Sequence, residues 1–229
     1  VGWSWEENSV LNNYSPDTPC QNIFQAVCDE IGSYYSSKGF QYARSRPKIT
    51  YKDQEIKLEI SFWSSARNIP GDYILLEIIP SFYSIQLIRN EKVKKQKSKS
   101  NGYILGHPAI FVHALSDRNS GTVKIKQIFG EELERFERSD LDAVLKLNNA
   151  CNVYGLTIEQ FEKILDFIDT QIISYLDVLK NYDKLIQFIE NSNKERCYYL
   201  NNSNIQEYIE ITFPTMKDQI IELLNKQFI

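Results

Sequence analysis

Glu55-Ile56-Lys57-Leu58-Glu59-Ile60-Ser61-Phe62-Trp63 is the stretch that decides the fold class. Ile56, Leu58, Ile60 and Phe62 are apolar, and the residues between them, Lys57, Glu59 and Ser61, are polar. A period of two sends alternate side chains to opposite faces, so the stretch reads as an antiparallel strand with one face on a core and one on water. Similar runs near residues 40–51, 72–79, 82–88, 103–113 and 122–129 extend it to a sheet of about five or six strands. Leu76-Glu77-Ile78 and Ser81-Phe82-Tyr83-Ser84 echo the run from Leu58 to Ser64 with Ile79-Pro80 inserted. Two extra residues keep the inward and outward parity, while Pro80, lacking an N–H, predicts a bulge, an edge or a break. Asn68 to Asp72, with Pro70-Gly71, predicts a turn.

Helical signals flank the sheet. Thr18-Pro19-Cys20-Gln21 reads as a helix start with Thr18 as N-cap and Pro19 at the first helical position. Ile23, Phe24, Val27, Ile31 and Tyr34 make its apolar stripe, and Lys38-Gly39 ends it. Residues 1–16 hold Trp3, Trp5 and Tyr14 without a period, an irregular arm whose aromatics either dock on the domain or meet a partner. From Gly130 the strand signal stops: Glu131 to Asn149 reads as a charged helical stretch. A capping box, Thr157 to Gln160, then opens an apolar seam from Ile158 to Ile189 spaced by threes and fours. Ile164, Phe167, Leu176, Val178 and Leu185 widen that seam into a face suited to a globular core. Homo-oligomer formation through residues 158–189 is the alternative. A last helix follows Pro214, with Ile220, Ile221, Leu223 and Leu224 on its buried side. Strands followed by helices predict an α+β fold. It divides into an arm (1–16), a helix with an antiparallel sheet (17–130) and a mainly helical part (131–229) that stands apart or packs on the same core.

The 229 residues are 42 % hydrophobic and 24 % charged, a globular balance that excludes extensive disorder. The longest nearly apolar run, Tyr73 to Ile79, contains Glu77 and falls far short of the ~20 residues of a membrane span. The net charge of −4 is uneven: residues 1–130 hold 16 Lys/Arg and 12 Asp/Glu, and the remainder 10 and 18. An excess of four cations over the first part is too weak to imply nucleic acid by itself. Of Cys20, Cys28, Cys151 and Cys197, no two make a C-x-x-C pair, which argues against a metal or dithiol site. With no basic segment leading into a secretory apolar stretch, the cysteines are expected to be reduced thiols in a cytoplasmic protein.

His107 and His113 are the only histidines. On one straight strand they would stand ~20 Å apart, too far to share a metal. No G-x-S-x-G, P-loop or G-x-G-x-x-G occurs. Asp53, Glu55 and Lys57 invite comparison with restriction-like nucleases, where an acidic residue and a Glu-x-Lys on a strand hold Mg²⁺ and orient water. Without a preceding Asp-bearing strand, a solvated charge pair is the ordinary reading. Arg89 to Lys99 holds six cations, and Lys92, Lys94, Lys95, Lys97 and Lys99 within it are the candidate contacts for an acidic protein face or for phosphates. The tract reads as part of a long loop over 89–102, without aromatics between the lysines to stack on bases.

Gly39-Phe40, followed by the strands Leu58 to Trp63 and Leu76 to Phe82, resembles small bacterial proteins in which a helix leads through a Gly-Phe step into an antiparallel meander. Some of these are thought to be toxin-neutralising immunity proteins. The resemblance covers about residues 21–90 and implies binding, and no catalytic residues come with it; no metal or cofactor is expected. The expected function is therefore that of a cytoplasmic bacterial interaction module of immunity or defence type that binds another protein. A metal-dependent nucleic-acid-processing enzyme using Asp53, Glu55 and Lys57 is the alternative.

Overall fold

A computed structural model of the chain describes residues 2–93, 101–112, 122–136, 148–201 and 203–226. The fold is α+β. An N-terminal helix α1 (Cys20–Ser37) precedes an antiparallel six-stranded sheet: β1 (Gln41–Ala43), β2 (Lys48–Lys52), β3 (Ile56–Trp63), β4 (Leu75–Ser84), β5 (Tyr103–Gly106) and, further along, β8 (Ala150–Asn152). The meander runs β1-β2-β3-β4-β5, and β8 also pairs with β4. α2 (Ile85–Val93) and α3 (His107–Phe111) interrupt it, and β6 (Thr122–Lys126) with β7 (Glu132–Phe136) forms a separate hairpin. The helical part begins with α4 (Ile158–Ile168), which runs through a π segment (Asp169–Ile173) into α5 (Tyr175–Lys180). It continues with α6 (Tyr182–Glu190), α7 (Lys194–Asn201), α8 (Ile205–Thr212) and α9 (Lys217–Lys226). Among the described residues no helix is long and apolar enough to cross a membrane.

β3 follows its alternation: Ile56, Leu58, Ile60 and Phe62 are buried and the intervening residues are not. Pro80 marks a local edge, one of the three outcomes expected of it, rather than a break. β4 runs through it unbroken, in straight register with β3 from Ile56↔Ser84 to Trp63↔Glu77. The amides of Ile78 and Ser84 donate away from β3, to Asn149 and Gly102. Pro80 has the same parity, so its missing donor faces that second edge, between the end of β8 opposite Glu77 and the end of β5 opposite Ser81. The bulge lies instead between Phe82 and Tyr83, on the β5 side.

Three segments expected as strand or loop contribute to two helices. Ser84 Oγ accepts from the Leu87 amide (3.2 Å) and starts α2, so 82–88 is not one strand and the cationic tract is helical as far as Val93. Pro108 lies in the first turn of α3, which takes His107 off the strand; His113 is outside the described residues. Conversely, Glu132–Phe136 is strand rather than helix. Its register sets Glu132 opposite Lys126, and opposite charges across an antiparallel pair favour a strand.

At the helices the local signals divide. Gly39 takes φ +88° after α1 as expected of a terminating glycine. Thr18 does not cap α1; its hydroxyl accepts the Ser15 amide in the preceding turn (3.0 Å), and Pro19 precedes the helix. Tyr35 rather than Tyr34 is fully buried. Both halves of the Thr157–Gln160 capping box form. The seam breaks at Asn181, and Phe161, Leu165, Ile168, Ile172, Leu179, Leu185 and Ile189 lie in the same hydrophobic cluster as β3 and α1. That cluster spans the sheet and the helical part, because the seam packs inside its own chain.

Long-range polar contacts lock these layers. Tyr35 donates to the Leu165 carbonyl (3.2 Å) and to Asp169 Oδ1 (2.8 Å), joining α1 to the start of the π segment. Arg196 donates to the carbonyls of Ala109 (2.9 Å) and Ile110 (3.3 Å) in α3, and Tyr208 to that of Leu179 (2.7 Å). The arm docks: Trp3 and Trp5 pack on Phe161, while the Trp3 indole and the Glu6 amide donate to the buried Glu30 carboxylate. Tyr35→Phe, which removes only the hydroxyl joining α1 to Asp169, is expected to lower unfolding free energy by about 1 kcal/mol in urea titration. An unchanged midpoint would show that the contact adds nothing to stability.

Candidate functional site

The structure separates the residues of the nuclease-like motif. Asp53 sits in the turn between β2 and β3, where Oδ1 accepts the amides of Glu55 and Ile56, both at 2.8 Å. Its Oδ2 accepts from Tyr51 (3.2 Å) and from Lys180 Nζ at the end of α5. Desolvation raises its pKa, but the two amides and Lys180 outweigh it and hold the carboxyl down to about 2. Glu55 is exposed beside the turn. Lys57 points elsewhere, 4.3 Å over the Tyr83 ring and 3.4 Å from Glu59, which also binds Lys48 (2.9 Å). Asp53 and Lys57 thus serve different partners. Among the described residues no group of three or more His, Cys, Asp and Glu is placed to hold a metal ion. All four cysteines lie among the described residues and form no disulfide. Lys92 lies in α2, and Lys94, Lys95, Lys97 and Lys99 are outside the described residues.

Two cavities differ in how their polar groups are used. One, of about 270 Å³, lies between the arm and α1. Its principal acid, Asp29, already accepts from Gln25, Tyr42 and Arg44, so the cavity is lined by a satisfied network. That network depends on Gly32, since a Cβ there would come 2.4 Å from the Tyr42 ring.

The second cavity, of about 350 Å³, is lined by residues from four segments of the chain. Lys163, Asp166, Phe167, Thr170 and Gln171 form one wall, at spacings that put them on a single helical face where α4 enters the π segment. The turn after β6 supplies Gln127, the residues before β8 supply Asn148, and α3 supplies Phe111. Phe111 and Phe167 stack at 5.4 Å and 19°. Asn148 is 4 % and Gln127 6 % exposed. The Asn148 amide donates to the Phe111 carbonyl (3.4 Å), leaving Oδ1 without a partner, and Gln127 Nε2 likewise has none. A buried amide atom left unpaired costs on the order of 1–3 kcal/mol, and both atoms are closed off from solvent behind the cavity wall. Neither residue belongs to a sequence motif; isolated neutral amides carry no spacing signal.

For Asp53 the folded pKa lies below the unfolded value near 4, so its stabilisation is complete above about pH 5 and disappears as pH falls toward 2. The expected loss is about 2 kcal/mol, read by denaturant titration from pH 6 to pH 2. Asp53→Asn keeps the turn acceptor but not the charge and should flatten that part of the profile; an unchanged profile would remove Asp53 from the acid sensitivity. Compared with protein-family models, curated proteins and solved structures, the chain matches none.

Proposed function

We propose that the protein works by binding a partner protein through the outward face of its sheet, in keeping with the immunity or defence role that its resemblance implies. One observation carries this reading: Trp63 is 49 % exposed on the polar side of β3. Its parity places it with Lys57, Glu59 and Ser61, and the cross-strand register adds Ile79, Ser81 and Tyr83 from β4. These neighbours are partly exposed, and Lys48, Lys57 and Glu59 form an ion cluster beside Tyr83.

A large indole on the outward, otherwise polar face of a strand, set among partly desolvated charges, has the composition of an interface anchor. Surface charges of both signs then set orientation more than affinity. The dispersal of Asp53 and Lys57 supports binding over nucleic-acid cleavage, which needs its carboxylates gathered around a metal.

A partner retained by immobilised protein from a lysate of the native host should lose at least ~10-fold in affinity with Trp63→Ala, as for a central aromatic anchor. Tyr198→Ala, at another exposed aromatic, serves as the control and should bind as before. Equal binding by wild type and Trp63→Ala would overturn the proposal.

A further inference from the structure

We infer that the first part of the arm, residues 2–8, is a pH-sensitive strap over α1 and α4, which closes as Glu30 takes up a proton and loosens as Glu30 ionises. The strap shares no residue with the sheet face that carries Trp63 and is independent of that reading. Three features converge. First, among the described residues no backbone–backbone hydrogen bond joins residues 2–8 to any part of the chain beyond the arm. Side chains hold the strap instead: Glu162 Oε1 accepts the Trp3 amide (3.4 Å), Tyr34 and Phe161 meet the Trp3 ring, and Phe161 also meets Trp5. Further along, the arm is fixed by the buried Leu11 and by Tyr14, whose hydroxyl accepts the Gly155 amide (2.6 Å). Residues 2–8 therefore have room to lift while the core stays folded.

Second, Glu30 is 2 % exposed and the strap occupies both of its oxygens. The Trp3 indole donates to Oε2 (3.2 Å) and the Glu6 amide to Oε1 (3.0 Å), and Ser9 is the remaining partner. Lifting the strap returns the carboxyl to water, so its protonation and the closure are linked. Third, no cation answers its charge among the described residues. Glu6 of the strap, Asp29 of α1 and Arg44 of the turn after β1 line one cavity with Glu30, and Arg44 is bound to Asp29 (3.1 Å). Glu162 of α4 lies under the same strap, and Lys38, over the Tyr34 ring, is bound to Asp169 (3.0 Å). The ionised carboxylate thus meets neutral N–H and O–H dipoles and the like charge of Glu6. Burial raises its pKa above the ordinary 4.5, Glu6 adds to this, and the three donors offset it only in part. The closed state therefore holds the proton more tightly than the open one: closure is strongest near the ordinary value and weakens as pH rises through the raised one. Release would uncover Phe161, which is fully buried with Trp3 and Trp5 against it, and would free two indoles, the kind of apolar surface that partners use.

Hydrogen exchange of the full chain between pH 5 and pH 8, read by mass spectrometry as protection factors corrected for intrinsic exchange, tests this. The peptide covering residues 2–8 is expected to lose protection by at least ~3-fold as pH rises across that range, while the one covering Ile56–Trp63 keeps its own. Glu30→Gln keeps the shape and cannot ionise, so its 2–8 peptide should hold one protection factor throughout. Should Glu30→Gln not fold, Glu6→Gln must lessen the loss by removing the like charge. Trp3→Phe must steepen it, since it removes a donor to the ionised form and keeps a ring against Tyr34 and Phe161. A flat profile in the wild type, protection that grows with pH, the same slope in Glu30→Gln, or a parallel loss over Ile56–Trp63 would overturn the inference.

Discussion

The constraint on which the structure depends is the backbone of one strand, Leu75–Ser84. Its first residues are buried on both faces, so neither edge has water to turn to, and every N–H and C=O needs a protein partner. One edge is filled by β3 from Glu77 to Ser84, and the Leu75 amide before it donates to the Asn68 side chain. The other is shared by β8 at one end and β5 at the other, with Pro80 where neither reaches. A proline is tolerated in a central strand only where no ladder bond is asked of its nitrogen, and the gap between two short partners is such a place. The arrangement also brings residues 150–152 back across the sheet and so ties the helical part to it. Asn149, which donates to the Ile78 carbonyl and whose own carbonyl accepts the Ile78 amide, closes the seam.

Around this strand the acidic side chains act as fasteners. Asp53 ties a hairpin turn to the end of α5, Asp169 ties the π segment to Tyr35 and Lys38, and Asp29 ties α1 to Tyr42 and Arg44. Glu30 is the most costly of them. Burial raises its pKa, and the Glu6 amide, Ser9 and the Trp3 indole pull it back only in part. Its ionised form is therefore held at some expense, and the donors that offset this are those of the docked arm.

The outward sheet face combines an exposed indole with ion-paired lysines, and it is on this composition that the proposed protein-binding role rests.

What the sequence alone determined was local: the alternation of β3, the capping box at Thr157, the glycine stop at Gly39 and the breadth of the apolar seam all report on neighbours within a few residues. The charges of Glu132–Phe136 read as helical until Lys126 stands across from Glu132. Nor does local pattern reveal that Ser84 and Pro108 turn two expected strands into helices. Only the tertiary structure decided the roles of Asp53, Gln127 and Asn148. Asp53 meets Lys180 across 127 positions of chain, and Gln127 and Asn148 stay unpaired because distant segments bury them without offering a partner. Period and spacing encode the face a residue points to; what waits on that face depends on loop closure between parts of the chain that local pattern cannot relate.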